Sequence, residues 1–130
     1  NFAAISHFPY VPAWTAHGAI QYTFADIGGV VPSIRADYSW RSRRYFHTNN
    51  LSNLTAFNNE ISQGGSGLAG GSIVLSDIAI GGVKSEVTLW AENLFNKAYR
   101  IQGVDFGSLG FAGNVYAMPR RVGIDFRVNF

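Results

Sequence analysis

The sequence predicts an all-β chain, an antiparallel up-and-down meander of about five strands. Three observations carry that prediction. Apolar and polar residues alternate strictly along several segments of roughly 9–11 residues, the pattern of a strand with two different faces. The connections between those segments alternate between short and long. Within 130 residues, charged side chains make up only 14% and aromatics reach 15%, against about 25% charge in ordinary globular proteins.

In residues 13–24, Trp14, Ala16, Gly18, Ile20, Tyr22 and Phe24 share one face, opposite Thr15, His17, Gln21 and Thr23. In residues 33–46, Ile34, Ala36, Tyr38 and Trp40 oppose Arg35, Asp37, Ser39 and Arg41. Residues 73–80 are ambiguous. Placing Asp77 on the polar face groups Val74, Ser76, Ile78 and Ile80 on the other. In residues 86–93, Val87, Leu89 and Ala91 oppose Glu86, Thr88, Trp90 and Glu92, and the alternation slips at Asn93-Leu94-Phe95. Such a slip predicts a bulge or a change of direction. Residues 121–130 are the clearest segment, with Val122, Ile124, Phe126, Val128 and Phe130 set against Arg121, Gly123, Asp125, Arg127 and Asn129.

Residues 26–32 and 81–85 read as short turns. Residues 47–72, rich in Asn, Ser and Gly, and the Gly-rich stretch 101–119 read as long loops. Loops beyond about 12–15 residues are uncommon in a compact soluble domain. Short turns at one end and long loops at the other are instead the habit of outer-membrane barrels.

The composition excludes several classes. A chain this apolar has ample surface to bury and is not disordered. With no Cys, disulfide scaffolds, thiolate zinc sites and Cys nucleophiles are ruled out. A net charge of +2 gives no basic field for nucleic acid. No apolar window of about 18 residues would form a transmembrane helix, and no signal-peptide pattern is visible. The opening Asn1-Phe2-Ala3 without Met fits a processed product or a piece of something longer.

Alternation alone does not separate a membrane sheet from a soluble sandwich. Three features favour lipid. Opposite charges share the polar faces (Arg35 with Asp37, Asp125 with Arg127), and Arg on a lipid face would cost roughly 2–4 kcal/mol at mid-depth. Trp14, Tyr22, Phe24, Tyr38, Trp40 and Phe130 gather near strand ends, as interfacial girdles do. The last alternation also runs through to Phe130. About eight strands are needed to close a barrel, and open sheet edges are not tolerated in lipid. The expectation is a portion of a larger barrel, or one part of an oligomeric one.

The run from Glu86 to Tyr99, the Gly-rich stretch, Pro119-Arg120-Arg121 and the final strand together resemble the carboxy-terminal end of a TonB-dependent outer-membrane receptor. Asn93, Leu94, Phe95, Asn96, Tyr99, Pro119, Arg120 and Phe130 occupy the positions of that family's pattern. The resemblance implies that residues 1–130 are the carboxy-terminal segment of a 22-stranded transmembrane β-barrel, with the amino-terminal plug and the TonB box outside the sequence. It implies a location in the bacterial outer membrane and uptake of a scarce ligand such as a ferric siderophore, haem, cobalamin or glycan. The implied partners are the bilayer and lipopolysaccharide, the rest of the barrel and plug, TonB, and the outer-membrane assembly machinery. No cofactor, nucleic acid or catalytic activity is implied. The rival readings are a subunit of an oligomeric outer-membrane barrel and a soluble β-sandwich binding module.

Ile124, Phe126, Val128 and Phe130 resemble the terminal signal read by the assembly machinery, through strand addition at an alternating edge. The plainer alternative is lipid-facing packing. Arg43, Arg44, Tyr45 and His47 open the longest loop and are candidates to contact an anionic ligand; contact with lipopolysaccharide phosphate or solvent is the plainer alternative. His7, His17 and His47 lack metal-ligand spacing. Residues 65–70 match a dinucleotide fingerprint only formally, lacking its strand–helix setting, and read as a flexible loop. Glu86 and Glu92 lie about 20 Å apart along a strand, too far for a glycosidase pair. The sequons at Asn50 and Asn53 carry no meaning in a bacterial protein.

Overall fold

A computed structural model describes residues 8–47, 60–106 and 109–129. His7, Asn50, Asn53 and Phe130 lie outside the described residues. The fold is all-β. The strands are β1 (Thr15–Thr23), β2 (Val31–Arg41), β3 (Arg44–Tyr45), β4 (Ser62–Gln63), β5 (Ser66–Ile80), β6 (Val83–Glu92), β7 (Arg100–Phe106), β8 (Phe111–Tyr116) and β9 (Arg121–Asn129). β1, β2, β5, β6 and β9 form one five-stranded antiparallel sheet in that spatial order. The predicted meander of five strands is therefore present. β3–β4 and β7–β8 are separate two-stranded ladders within the two long connections.

Both short connections are two-glycine hairpins. Gly28 and Gly29 have φ of 67° and 89°, and Gly81 and Gly82 have 59° and 85°. Positive φ at both central residues is what a type I′ turn requires, and glycine adopts it without strain. Ile27 N–H donates to the Val30 carbonyl at 2.9 Å, and Asp26 Oδ1 accepts from Gly29 N–H at 2.8 Å.

Three readings of the sequence need correction. First, residues 65–70 are not a loop, because β5 begins at Ser66. Its Gly-rich start carries too few side chains to display an alternation. It needs its glycines for close approach: a Cβ at Gly71 would lie 2.7 Å from the Arg35 carbonyl oxygen across the sheet. Second, the stretch 101–119 contains the β7–β8 hairpin rather than a structureless loop.

Third, the ambiguity at 73–80 is a β-bulge. The pairing with β6 shifts between Leu75 and Ile78, with Leu75 opposite Val87 and Ile78 opposite Ser85. Asp77 takes the left-handed φ of 60°. Ser76 Oγ donates to the Val31 carbonyl of the neighbouring strand at 3.0 Å, and Lys84 Nζ donates to Asp77 Oδ1 at 2.6 Å. One extra residue moves the apolar set from odd to even numbers. Ile73 and Leu75 thus share a face with Ile78 and Ile80, and Val74 lies on the polar face opposite Thr88.

The chain folds as two compact units. One comprises Asn1–Ala16, Trp40–Gly67 and Ala98–Met118; the other comprises His17–Ser39, Leu68–Lys97 and Pro119–Phe130. Among the described residues the buried apolar side chains, Phe46 at 6% exposure and Ile61 at 1%, lie in the first unit. Tyr10 packs on Phe46 with ring centroids 5.3 Å apart. β7 passes close over this pair, since a Cβ at Gly103 would lie 2.9 Å from Phe46 Cδ2 and 3.0 Å from Ile61 Cα. The second unit is built on the long strands and leaves their apolar face open.

Candidate functional site

The β6–β9 register fixes the two faces of the sheet. Val87 opposes Phe126, Leu89 opposes Ile124 and Ala91 opposes Val122 on one face. On the other, Glu86 opposes Arg127, Thr88 opposes Asp125, Trp90 opposes Gly123 and Glu92 opposes Arg121. The apolar face is uncovered: Val122 is 71% exposed, Ile124 70%, Phe126 59%, and on β1 Ile20 is 72% and Tyr22 61%. Val128 is half-buried opposite Ser85. Moving side chains of this kind from water into hydrocarbon gains about 1.5–3 kcal/mol each. An open apolar face of this extent marks a surface that meets lipid or another protein.

The polar face pairs its charges across strands. Arg127 Nη1 lies 3.4 Å from Glu86 Oε1, and Arg121 Nε donates to Glu92 Oε2 at 3.1 Å. Glu86 and Glu92 are thus each held by an arginine. Trp90 lies against Gly123, where a Cβ would come within 2.6 Å of the indole Cε2. A large aromatic beside a cross-strand glycine fixes register.

After Glu92 the chain turns at residues 93–96. Asn93 and Asn96 adopt φ of 49° and 51°, a region that Asn tolerates better than most residues. Asn93 clamps the turn twice: its Oδ1 accepts from Lys97 N–H at 2.8 Å, and its Nδ2 donates to the Lys97 carbonyl at 3.0 Å. Asn96 Oδ1 accepts from the Arg120 amide at 2.9 Å, tying this turn to the start of β9. The expected change of direction after Asn93 is present. Leu94 and Phe95 are exposed at 43% and 77%. Tyr99 is half-buried and its carbonyl accepts from Ala117 N–H at 2.9 Å. Pro119 and Arg120 are exposed.

In the unit that holds Phe46 and Ile61, the four loop candidates separate. Arg44 is buried at 9% exposure. Its Nη2 donates to the Arg100 carbonyl at 3.4 Å, and its guanidinium lies 6.0 Å from the Phe46 ring centroid. Burial and the nearby Arg41 charge hold its pKa below the ordinary value, against an opposing pull from Tyr99. Tyr45 and His47 are half-buried, and only Arg43 of the four is exposed. Arg100, which the alternation pattern did not single out, is the hub. Its Nη1 donates to the Ser62 carbonyl at 3.1 Å, its Nε to Tyr116 Oη at 3.3 Å, and its amide N–H donates to Gln63 Oε1 at 2.5 Å. A lone arginine after a turn leaves no periodic signal, so sequence alone did not reveal it.

Among the described residues, no group of three or more His, Asp or Glu side chains is placed to hold a metal ion. No family model, curated protein or solved structure matches this chain.

Proposed function

We propose that this chain forms the carboxy-terminal strands of a TonB-dependent outer-membrane transporter that takes up a scarce ligand such as a ferric siderophore, haem, cobalamin or glycan. The observation that carries this reading is the five-stranded sheet with one face apolar and uncovered, and the other lined by cross-strand ion pairs. In lipid the first face is the stable outer surface, and the second faces a lumen or plug. The Asn93–Asn96 turn, bonded to Arg120 ahead of an alternating last strand, supports the family reading in particular. The sheet ends on β1 and β9. Because lipid tolerates no open edge, the reading requires further strands on both sides.

The test is expression of the full-length gene product in a Gram-negative host, followed by membrane fractionation and electrophoresis with and without boiling. A transporter segment gives a urea-resistant outer-membrane protein with heat-modifiable migration, and deleting its gene abolishes TonB-dependent uptake of one ligand in a panel of those classes. A protein that stays folded and monomeric in detergent-free buffer refutes the membrane reading. Uptake that is independent of TonB refutes the transporter reading.

A further inference from the structure

We propose that the β7–β8 hairpin is a lid over Phe46 and Ile61, latched at its root by Arg100 and biased toward opening by polar atoms that closure leaves without partners. The inference concerns the first unit alone and does not rest on the transporter reading.

The hairpin lies directly on its bed, because a Cβ at Gly103 would come within 2.9 Å of Phe46 Cδ2 and 3.0 Å of Ile61 Cα. Arg100 fastens the root. Its amide N–H and Nη1 donate to Gln63 Oε1 and to the Ser62 carbonyl of β4, and its own carbonyl accepts from Arg44 Nη2 of β3. At the same place the ladder is irregular, with the pairing shifted between Arg100 and Gln102. A bulge of this kind interrupts the regular bonding and bends the strand, as a hinge requires. Beyond it the pairing is regular from Gly103–Asn114 to Phe106–Phe111. The Phe106 and Phe111 rings, stacked with centroids 4.8 Å apart, hold the two strands together, so the hairpin moves as one piece.

Closure is opposed from within. Gly103, Asp105 two residues on and Asn114 opposite Gly103 share the hairpin face turned to the bed. Asp105 Oδ1 and Asn114 Oδ1 are buried there with no hydrogen-bond partner. Beside the root, Arg44 Nε is buried and unpartnered as well. Among the described residues Ser85 Oγ is the one other side-chain atom in that condition, so the orphaned polar atoms concentrate at this contact. A carboxylate or amide oxygen taken out of water without a donor loses its hydration and gains nothing in return. Lifting the hairpin gives both oxygens back to water, and it exposes the apolar surfaces of Phe46 and Ile61. Two opposed effects on one small contact set a local opening that needs far less free energy than global unfolding.

The test is the labelling rate of a buried thiol by a water-soluble maleimide in the folded full-length protein, with any cysteine elsewhere in it replaced; these 130 residues hold none. Ile61→Cys places the thiol under the lid. Ser85→Cys, at a position equally buried in β6, reports global unfolding. With a lid, Ile61→Cys labels at least about tenfold faster than Ser85→Cys, at a rate nearly independent of urea below the unfolding transition. Asp105→Leu and Asn114→Leu each remove an orphaned oxygen at similar size, and each slows labelling of Ile61→Cys about tenfold. Arg100→Gln, which loses the bonds to the Ser62 carbonyl and Tyr116, speeds it about tenfold. Equal labelling of the two thiols overturns the proposal, because the hairpin then opens only with the whole fold. Labelling of Ile61→Cys that neither leucine variant slows overturns it too. If Arg100→Gln does not fold, the leucine variants, which favour the closed state, still decide.

Discussion

The contact between Trp90 and Gly123 makes a sharp prediction about the β6–β9 pair. An alanine Cβ at position 123 would lie 2.6 Å from Trp90 Cε2 and 3.0 Å from Nε1, well inside the roughly 3.5 Å at which carbon atoms first attract. The backbones are fixed by the ladder, so the indole must leave its position. Overpacking of this kind costs about 1–3 kcal/mol. Removing a mid-strand glycine returns about 0.5–1 kcal/mol, so Gly123→Ala is destabilised by up to about 2.5 kcal/mol, with a central value of about 1 kcal/mol. Gly113 on β8 is the control, because a Cβ there meets only Phe106 Cε2 at 3.9 Å. Gly113→Ala should be neutral or gain about 0.5–1 kcal/mol. The assay is the urea midpoint of the folded protein, for both variants and for Gly123→Ala in a Trp90→Ala background. Without the indole the clash is gone, and Gly123→Ala becomes neutral or stabilising. A Gly123→Ala penalty that persists in Trp90→Ala, or a Gly123→Ala at least as stable as wild type, refutes the steric account.

Other consequences follow from the two faces and the turns. If the apolar face meets lipid as proposed, Ile124→Lys should cost roughly 2–4 kcal/mol at mid-depth and deplete the protein from the outer membrane, while Asp125→Lys one residue on is tolerated; fractionation compares them. Asn93→Ala removes two hydrogen bonds and puts a Cβ-bearing residue without a side-chain clamp at positive φ, so stability should fall by about 1–3 kcal/mol, read from the urea midpoint. Deleting Asp77 removes the bulge while keeping Leu75 and Ile78 on one face, so the protein should still assemble. Deleting Thr88, which has no bulge to absorb the change, throws the register out and abolishes assembly. Arg44→Ala should lower stability by about 1–3 kcal/mol, whereas the exposed Arg43→Ala stays within about 0.5 kcal/mol, measured by the same urea series.

The parts of the fold legible in the sequence are those whose side chains differ sharply between faces. In β9, Val122, Ile124 and Phe126 against Arg121, Asp125 and Arg127 leave one possible phase, and β6 follows the same rule. The two-glycine hairpins are legible because only positive φ closes so short a turn. Legibility fails where glycine replaces side chains. The start of β5 and the β7–β8 hairpin depend on glycines that let backbones pass close to Arg35 and Phe46, and a missing side chain has no phase to read. It also fails at the bulge, where Asp77 shifts the period by one and neither phase fits the whole segment.

The loop candidates illustrate a different limit. Sequence grouped Arg43, Arg44, Tyr45 and His47 because cations and aromatics together suit an anionic ligand, but composition does not say which way a side chain turns. Between Arg43 and Arg44 the strand period itself decides: β3 pairs Arg44 with Gln63 and Tyr45 with Ser62, which turns Arg44 inward toward Phe46 and the Arg100 carbonyl while Arg43, just before the ladder, stays in solvent. A guanidinium taken out of water needs fixed partners: Arg44 Nη2 has the Arg100 carbonyl and the guanidinium has the Phe46 ring, while its Nε is buried without a partner. It therefore acts as a strut for the loop unit, and Arg43 is the residue of this cluster free to meet an anion. On the proposed transporter reading, an uptake defect in Arg43→Ala with unchanged stability, set against an unfolding defect in Arg44→Ala, is the outcome this division of roles requires.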